Sequence, residues 1–135
     1  MVLPGVQALF GFQLIAAFNQ RFVDLEPPTP AIHFASLLLV ALAIGLLMAP
    51  ASYHRIRERT IVSSYFTVLS SRLVAAAMIP LALAIAMDVY VVGEMIFPGM
   101  SSLYTSAFGV LVFVALFLLW IVFPLVHGWT SRGGK

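Results

Sequence analysis

The sequence contains no cysteine, and charged residues make up only 9% of its 135 residues. Without cysteine the chain has no disulfide, no thiolate metal ligand and no cysteine nucleophile. Soluble domains contain about 25% charged residues, so this composition lacks the polar surface that a soluble domain of this length would need. The net charge of +2 is too small to indicate binding to nucleic acid.

The sequence consists largely of long apolar segments. Hydrophobic residues account for 62% of the chain, and the mean hydropathy is +1.08. Apolar segments lie at about 4–22, 31–49, 71–92 and 104–127, the second ending at Pro50. About 20 helical residues cross the ~30 Å hydrocarbon core of a bilayer. The pattern predicts one all-α domain over residues 1–135, an integral membrane bundle of four transmembrane helices.

Small polar residues recur at helical spacing between the second and third spans. They are Thr60, Ser63, Ser64, Thr67 and Ser71, with apolar residues on the other face. This spacing predicts an amphipathic helix that lies in the membrane interface or runs straight into the third span. An ordinary loop is the alternative.

The charges divide by side of the membrane. One side has both termini and most basic residues: Arg55, Arg57, Arg59, Arg72, Arg132 and Lys135. The other side has Arg21 with Asp24, Glu26, Asp88 and Glu94. The positive-inside rule then predicts that both termini are cytoplasmic. The first residues lack the basic region and cleavage site of a signal peptide, so insertion is expected to depend on the first span.

The first span is unusually polar. Gln13 and Gln20 are seven residues apart and are expected on one helical face. They are interpreted as interhelical hydrogen-bonding groups or, less favoured, as the lining of a pore or solute path. Asp88 is a candidate for proton or cation relay, although an ion pair with Arg21 is an equal alternative. No histidine or second acid is expected to extend a relay from Asp88.

The histidines do not indicate a cofactor. Haem binding in a bundle needs two histidines at similar depth, but His33 is predicted near the outer surface, and His54 and His127 near the inner one. Interfacial hydrogen bonding is the favoured interpretation. No metal site or cofactor is expected, and no arrangement of residues indicates an enzyme.

Two sets of small residues predict close helix packing. Ala41, Gly45 and Ala49 repeat every four residues in the second span, and Ala82 and Ala86 repeat once in the third. Such faces let a second helix approach closely.

An aromatic stripe in the fourth span is a candidate contact surface. Phe113, Phe117 and Trp120 succeed one another at helical spacing. They are interpreted as facing lipid, a neighbouring helix, or a flat pigment or quinone in a larger complex.

Two stretches carry a resemblance to a known family. Residues 3–13 (LPGVQALFGFQ) with 18–22 (FNQRF), and residues 48–55 (MAPASYHR), resemble the landmarks of a bacterial family of small four-helix membrane proteins of unknown function. The resemblance implies the four-span architecture and a bacterial cytoplasmic membrane, and it implies no active site. Family members often have a longer charged segment before the first span.

These features favour a non-catalytic subunit that packs against partners in a larger membrane assembly, such as a respiratory or photosynthetic complex. The alternative is a homo-oligomeric ion channel or small-solute transporter lined by Gln13, Gln20 and Asp88. The expected partners are membrane lipids and other membrane subunits or further copies of the chain.

Overall fold

The structure, a computed structural model, describes residues 3–57 and 63–130, without the side chains of 127–130. Within these residues helices are the only regular secondary structure. They are α1 (Leu3–Ala16), α2 (Gln20–Val23), α3 (Thr29–Arg57), α4 (Ser64–Ile96), α5 (Ser102–Phe117) and α6 (Phe123–Thr130), with a π-helical turn at Leu118–Val122 joining the last two.

Within the described residues three helices are long and apolar enough to cross a membrane: α3, α4 and the continuous helix over Ser102–Val126. They indicate a membrane protein and confirm the all-α prediction. The first predicted span differs, because α1 ends at Ala16 after 14 residues, about 21 Å at 1.5 Å per residue. Asn19 then caps α2, its side chain accepting a hydrogen bond from the backbone N–H of Arg21 at 3.0 Å. An asparagine that bonds the local backbone favours a helix start over a helix interior.

α3 continues to Arg57 with Pro50 inside it, so the helix extends beyond the apolar segment that ends at Pro50, and the end of the membrane span itself stays a prediction. Proline removes one backbone hydrogen bond, and contacts with α4 offset that loss. Tyr53 stacks on Phe66 with ring centroids 6.0 Å apart, and His54 lies 5.3 Å from the same ring. These contacts hold the last turns of α3 against α4.

From Ser63 onward, the described part of the polar segment belongs to α4, which continues into the third apolar segment. Ser63 caps α4 by accepting from the N–H of Phe66 at 3.1 Å. The hydroxyls of Thr67 and Ser71 each donate to the carbonyl four residues earlier, which satisfies them within the helix. Thr60 lies outside the described residues. At 33 residues, α4 is about 50 Å long and exceeds the thickness of the hydrocarbon core.

Helix packing centres on α4, which contacts both α3 and α5, while α1 lies against α3. A small apolar core forms where these helices meet, and it consists of Val6, Val40, Ala43, Leu81 and Ala84. Trp120 is partly buried against this core. Most other large apolar side chains are exposed. In a bilayer these side chains face lipid, which removes the cost of leaving them outside the core.

The α4–α5 contact depends on Gly109. A Cβ at this position would lie 2.8 Å from the carbonyl oxygen of Ala86, so only glycine allows the two backbones to come this close. Ala82 is buried and Ala86 half-buried on α4, in agreement with a predicted packing face there. Gly109, which completes the contact, was not singled out from the sequence.

Replacing Gly109 by alanine should destabilise the protein by about 1–3 kcal/mol, because the added methyl group meets backbone that cannot rotate away. The measurement is thermal unfolding of the purified chain in mild detergent. Gly5→Ala is the matched control, since a Cβ there meets nothing within 4 Å. An equal melting temperature for Gly109→Ala and Gly5→Ala would contradict the close contact.

Candidate functional site

A cluster of polar side chains lies inside the apolar bundle, where α1, α3 and α4 meet. It is formed by Gln13, His33, Ser36 and Asp88, and we call it the polar cluster. All of its members lie near the same end of their helices: the last turn of α1, the first turns of α3, and about two turns before the end of α4. The antiparallel course of these helices therefore brings together residues that are far apart in sequence.

The carboxylate of Asp88 is the centre of the polar cluster. The side-chain amide of Gln13 donates to its Oδ2 at 2.6 Å, and the hydroxyl of Ser36 donates to its Oδ1 at 2.6 Å. The same amide also donates to the Ser36 hydroxyl at 2.9 Å. Each carboxylate oxygen thus has a donor from a different helix, and hydrogen bonds to a charged group are the stronger kind.

His33 adds a second titratable group beside Asp88. Its Nε2 lies 3.0 Å from the backbone carbonyl of Gln13; a carbonyl can only accept, so Nε2 carries the proton. The other nitrogen, Nδ1, lies 3.7 Å from Asp88 Oδ1 and makes no hydrogen bond. In the neutral imidazole this nitrogen turns a lone pair toward the carboxylate.

Acceptors exceed donors in the polar cluster. The Oε1 atom of Gln13 is buried without a hydrogen-bond partner, as is Nδ1 of His33. A buried acceptor left unpaired costs about 1–3 kcal/mol. Together with the carboxylate, these atoms give the site the chemistry to hold a proton or another positively charged group.

Further side chains cover the polar cluster on the side where α1 ends and α3 begins. The ring of Phe22 lies edge-on to His33 with centroids 5.0 Å apart. Thr29 is buried, and its hydroxyl lies 3.5 Å from that of Tyr90. Arg21 and Glu94 have partners outside the polar cluster.

The predicted ion pair between Arg21 and Asp88 does not form. Arg21 is exposed, and its guanidinium donates to the backbone carbonyl of Met95 at 3.1 Å. Glu94 accepts from the hydroxyl of Thr105 on α5. The helix break at Ala16 explains the difference for Arg21, since it takes the residues after it out of the α1 helix.

The same break separates Gln13 from Gln20. Gln13 is buried and belongs to the polar cluster, whereas Gln20 is exposed at the start of α2. They do not share a helical face as the seven-residue spacing predicted. Interhelical hydrogen bonding, the favoured interpretation of these glutamines, describes Gln13 correctly and Gln20 not at all.

The expectation that no histidine lies beside Asp88 is also wrong. His33 and Ser36 are one helical turn apart on α3 and face the same direction. Two polar residues at this spacing in an apolar helix are a signal of a buried polar contact, but their partner on α4 could not be read from the sequence. Ser36, fully buried, was missed for this reason.

Among the residues that the structure describes, the predicted packing face of α3 is largely exposed. Ala41 and Gly45 are exposed and Ala49 is half-buried. A Cβ added at Gly45 would meet nothing within 4 Å. This face is therefore open to lipid or to another helix.

The aromatic stripe is divided by the π-helical turn. Phe113 and Phe117 remain neighbours, with ring centroids 6.0 Å apart. Trp120 lies in the π-helical turn and packs against the core instead. The wider turn inserts one residue and rotates the helix beyond it. Phe113 also lines an open groove of about 650 Å³ beside α4 and α5, with Tyr90 and Ser106.

Metal binding finds no support in the described side chains, where no three His, Asp or Glu residues come together. His33 and His54 lie at opposite ends of α3, about 31 Å apart at 1.5 Å per residue. They cannot bind the same haem iron. The side chain of His127 lies outside the described residues.

The long apolar helices and the buried polar cluster define a helical membrane protein. The model of a family of unknown function (DUF6328) matches residues 1–124, and the chain belongs to this family. The predicted resemblance to an uncharacterised family is thereby confirmed. No curated protein and no solved structure matches the chain.

The hydrogen bond between Gln13 and Ser36 can be tested by a double-mutant cycle with Gln13→Leu and Ser36→Ala. We expect a coupling energy of about 0.6 kcal/mol or more, the average for interhelical hydrogen bonds in membrane proteins. Unfolding of the purified chain in detergent measures it. In the control cycle, Ser106→Ala replaces Ser36→Ala, because the Ser106 hydroxyl bonds only within its own helix. Equal coupling in both cycles would count against the polar cluster.

Proposed function

We propose that the chain is a non-catalytic membrane subunit that associates through its helices with partners in a larger membrane assembly. The observation that supports this most is the open face formed by Ala41, Gly45 and Ala49 on α3. Elsewhere in the chain the same type of residue is used for close packing, as at Gly109. A small-residue face that is largely exposed among the described residues fits a helix from another subunit.

The last transmembrane helix offers a second contact surface. Along Ser102–Val126 few residues are buried, and Phe113 and Phe117 lie side by side there. A paired aromatic surface fits another helix, a lipid or a flat pigment or quinone of a host complex. Respiratory and photosynthetic complexes are assemblies of this kind.

Gly45→Leu should release the chain from such a partner, because a leucine side chain blocks the close approach that glycine permits. The measurement is the composition of the particle extracted from native membranes in mild detergent. Gly5→Leu is the matched control, also open within 4 Å but on α1. Foreign subunits retained at full stoichiometry by Gly45→Leu would remove this face from the interface.

The proposed topology has four membrane crossings in a bacterial cytoplasmic membrane, with both termini cytoplasmic. α1 is short, yet it runs along α3 with Val6 in the same core as Ala43, well past the polar cluster. Residues 17–23 would complete the crossing. The basic residues Arg55 and Arg57 at the end of α3 fit the cytoplasmic side.

The absence of cysteine makes this topology directly testable by single-cysteine labelling. With a membrane-impermeant thiol reagent on intact cells, Glu26→Cys should react, whereas Gly5→Cys and Arg57→Cys should react only after permeabilisation. The wild-type chain is the blank, since it has no thiol. Labelling of Gly5→Cys in intact cells would place this residue outside the cytoplasm. The chain would then cross the membrane three times, and the four-crossing topology would be wrong.

A second candidate function is transport of a proton or small solute, and the polar cluster is the observation that favours it. Intramembrane carboxylates commonly mark ion or proton pathways. Because Gln13 and Asp88 bond each other within one chain, a path along the protomer is better supported than a pore between protomers. Flux into liposomes that falls with Asp88→Asn, but not with Asp24→Asn at an exposed position, would support transport; flux equal in the two variants would oppose it.

A further inference from the structure

We propose that a cavity between α1, α4 and α5 binds a lipophilic organic cation, whose positive charge pairs with Asp88. The proposal names a class of ligand for the second candidate function, transport. Transport of the cation rests on that function, whereas binding of the cation is tested separately. Asp88 is the member of the polar cluster that reaches this cavity.

The cavity is a partly open groove with a volume of about 550 Å³, within the range of about 300–1,000 Å³ of small-molecule sites. Its walls come from Leu9 on α1, from α4 and from α5. Asp88 belongs to the lining and is its only charged member among the described residues. The side chain of Asp88 is 16% exposed, whereas the other members of the polar cluster are buried.

The rest of the lining is almost entirely apolar. Two aromatic rings, Phe97 and Phe108, take part in it, and Thr105 supplies a hydroxyl that is already bonded to Glu94. Such walls favour a ligand with apolar bulk over a hydrated metal ion, which would lose its water without gaining oxygen ligands. Aromatic rings also attract organic cations through their faces.

The charge on Asp88 supplies the other half of the recognition. Gln13 and Ser36 hold both carboxylate oxygens in place, and these donors are neutral. Arg21 donates to Met95 instead, so among the described residues no arginine or lysine pairs with the carboxylate, and Nδ1 of His33, 3.7 Å from Oδ1, makes no hydrogen bond to it. An ion pair with a cation in the cavity would supply the missing positive charge in a low-dielectric setting, where unpaired charge is costly.

Size alone does not select a cation, since an apolar cavity accepts any apolar ligand of suitable shape. The selective element is the carboxylate, which attracts a positive ligand and repels a negative one. Tetraphenylphosphonium and tetraphenylborate have nearly the same shape and opposite charge. The part of their difference in affinity that is lost when Asp88 becomes asparagine therefore measures the contribution of Asp88.

The experiment is equilibrium binding of the two labelled ions to the full chain purified in mild detergent. We expect saturable binding of tetraphenylphosphonium at one site per chain, and binding of tetraphenylborate weaker by about tenfold or more. In Asp88→Asn the preference should disappear, while Asp24→Asn, the same change at an exposed position, should keep it.

Phe108→Ala provides a test that leaves the polar cluster intact. Phe108 lines the cavity but takes no part in the hydrogen bonds of Gln13 and Ser36. Its loss should weaken tetraphenylphosphonium binding about two- to fivefold, so the cation site can be tested even if Asp88→Asn does not fold. Phe117→Ala, outside this cavity, should bind like the wild type.

Equal binding of the two ions, or an unchanged preference in a folded Asp88→Asn chain, would overturn the proposal. So would the absence of saturable tetraphenylphosphonium binding. If binding fails while liposome flux of protons still depends on Asp88, the cation site is refuted and the transport function stands. If binding succeeds without flux, the site stands and transport does not.

Discussion

The carboxylate of Asp88, held by Gln13 from α1 and Ser36 from α3, is the interaction on which the arrangement of the helices depends. In a membrane, an apolar side chain gains little free energy by contacting protein instead of lipid. α1 is shorter than the three described helices that are long and apolar enough to cross a membrane. Directed hydrogen bonds to a charged group give it one position against α3 and α4. The same bonds leave Asp88 with a charge that no described arginine or lysine neutralises.

Close backbone contact fixes the other half of the bundle. Gly109 lies against the carbonyl of Ala86, and Gly93 against Thr105, where a Cβ would come within 3.0 Å of the threonine methyl. These contacts keep α5 near α4 at the level of Asp88. α5 thereby forms one wall of the cavity that Asp88 lines. The packing of α5 on α4 and the shape of the cavity thus depend on the same few positions. By contrast a Cβ at Gly45 would meet nothing within 4 Å among the described residues, so this position is available to a partner.

Features that depend on local sequence were predictable. The apolar lengths of α3, α4 and the last helix predicted membrane-crossing helices, because the bilayer sets a minimum length. The polar spacing from Ser63 to Ser71 predicted the helical start of α4, since hydroxyls at this spacing bond the backbone of their own helix. Gln13 and Asp88 were recognised as unusual because polar groups in lipid need partners. The partners themselves were assigned incorrectly: Arg21 lies beyond the helix break and bonds Met95.

The sequence by itself determined that this is an all-helical chain built for a membrane, because hydropathy and residue spacing act along a single helix. Its similarity to a family of unknown function covers residues 1–124 and adds no role. Only the tertiary structure decided that Gln13, His33 and Ser36 surround Asp88, and that Asp88 opens into an apolar cavity. These contacts join residues 20 to 75 positions apart. Packing among the helices decides which helix faces meet, and a local sequence pattern contains no information about that packing.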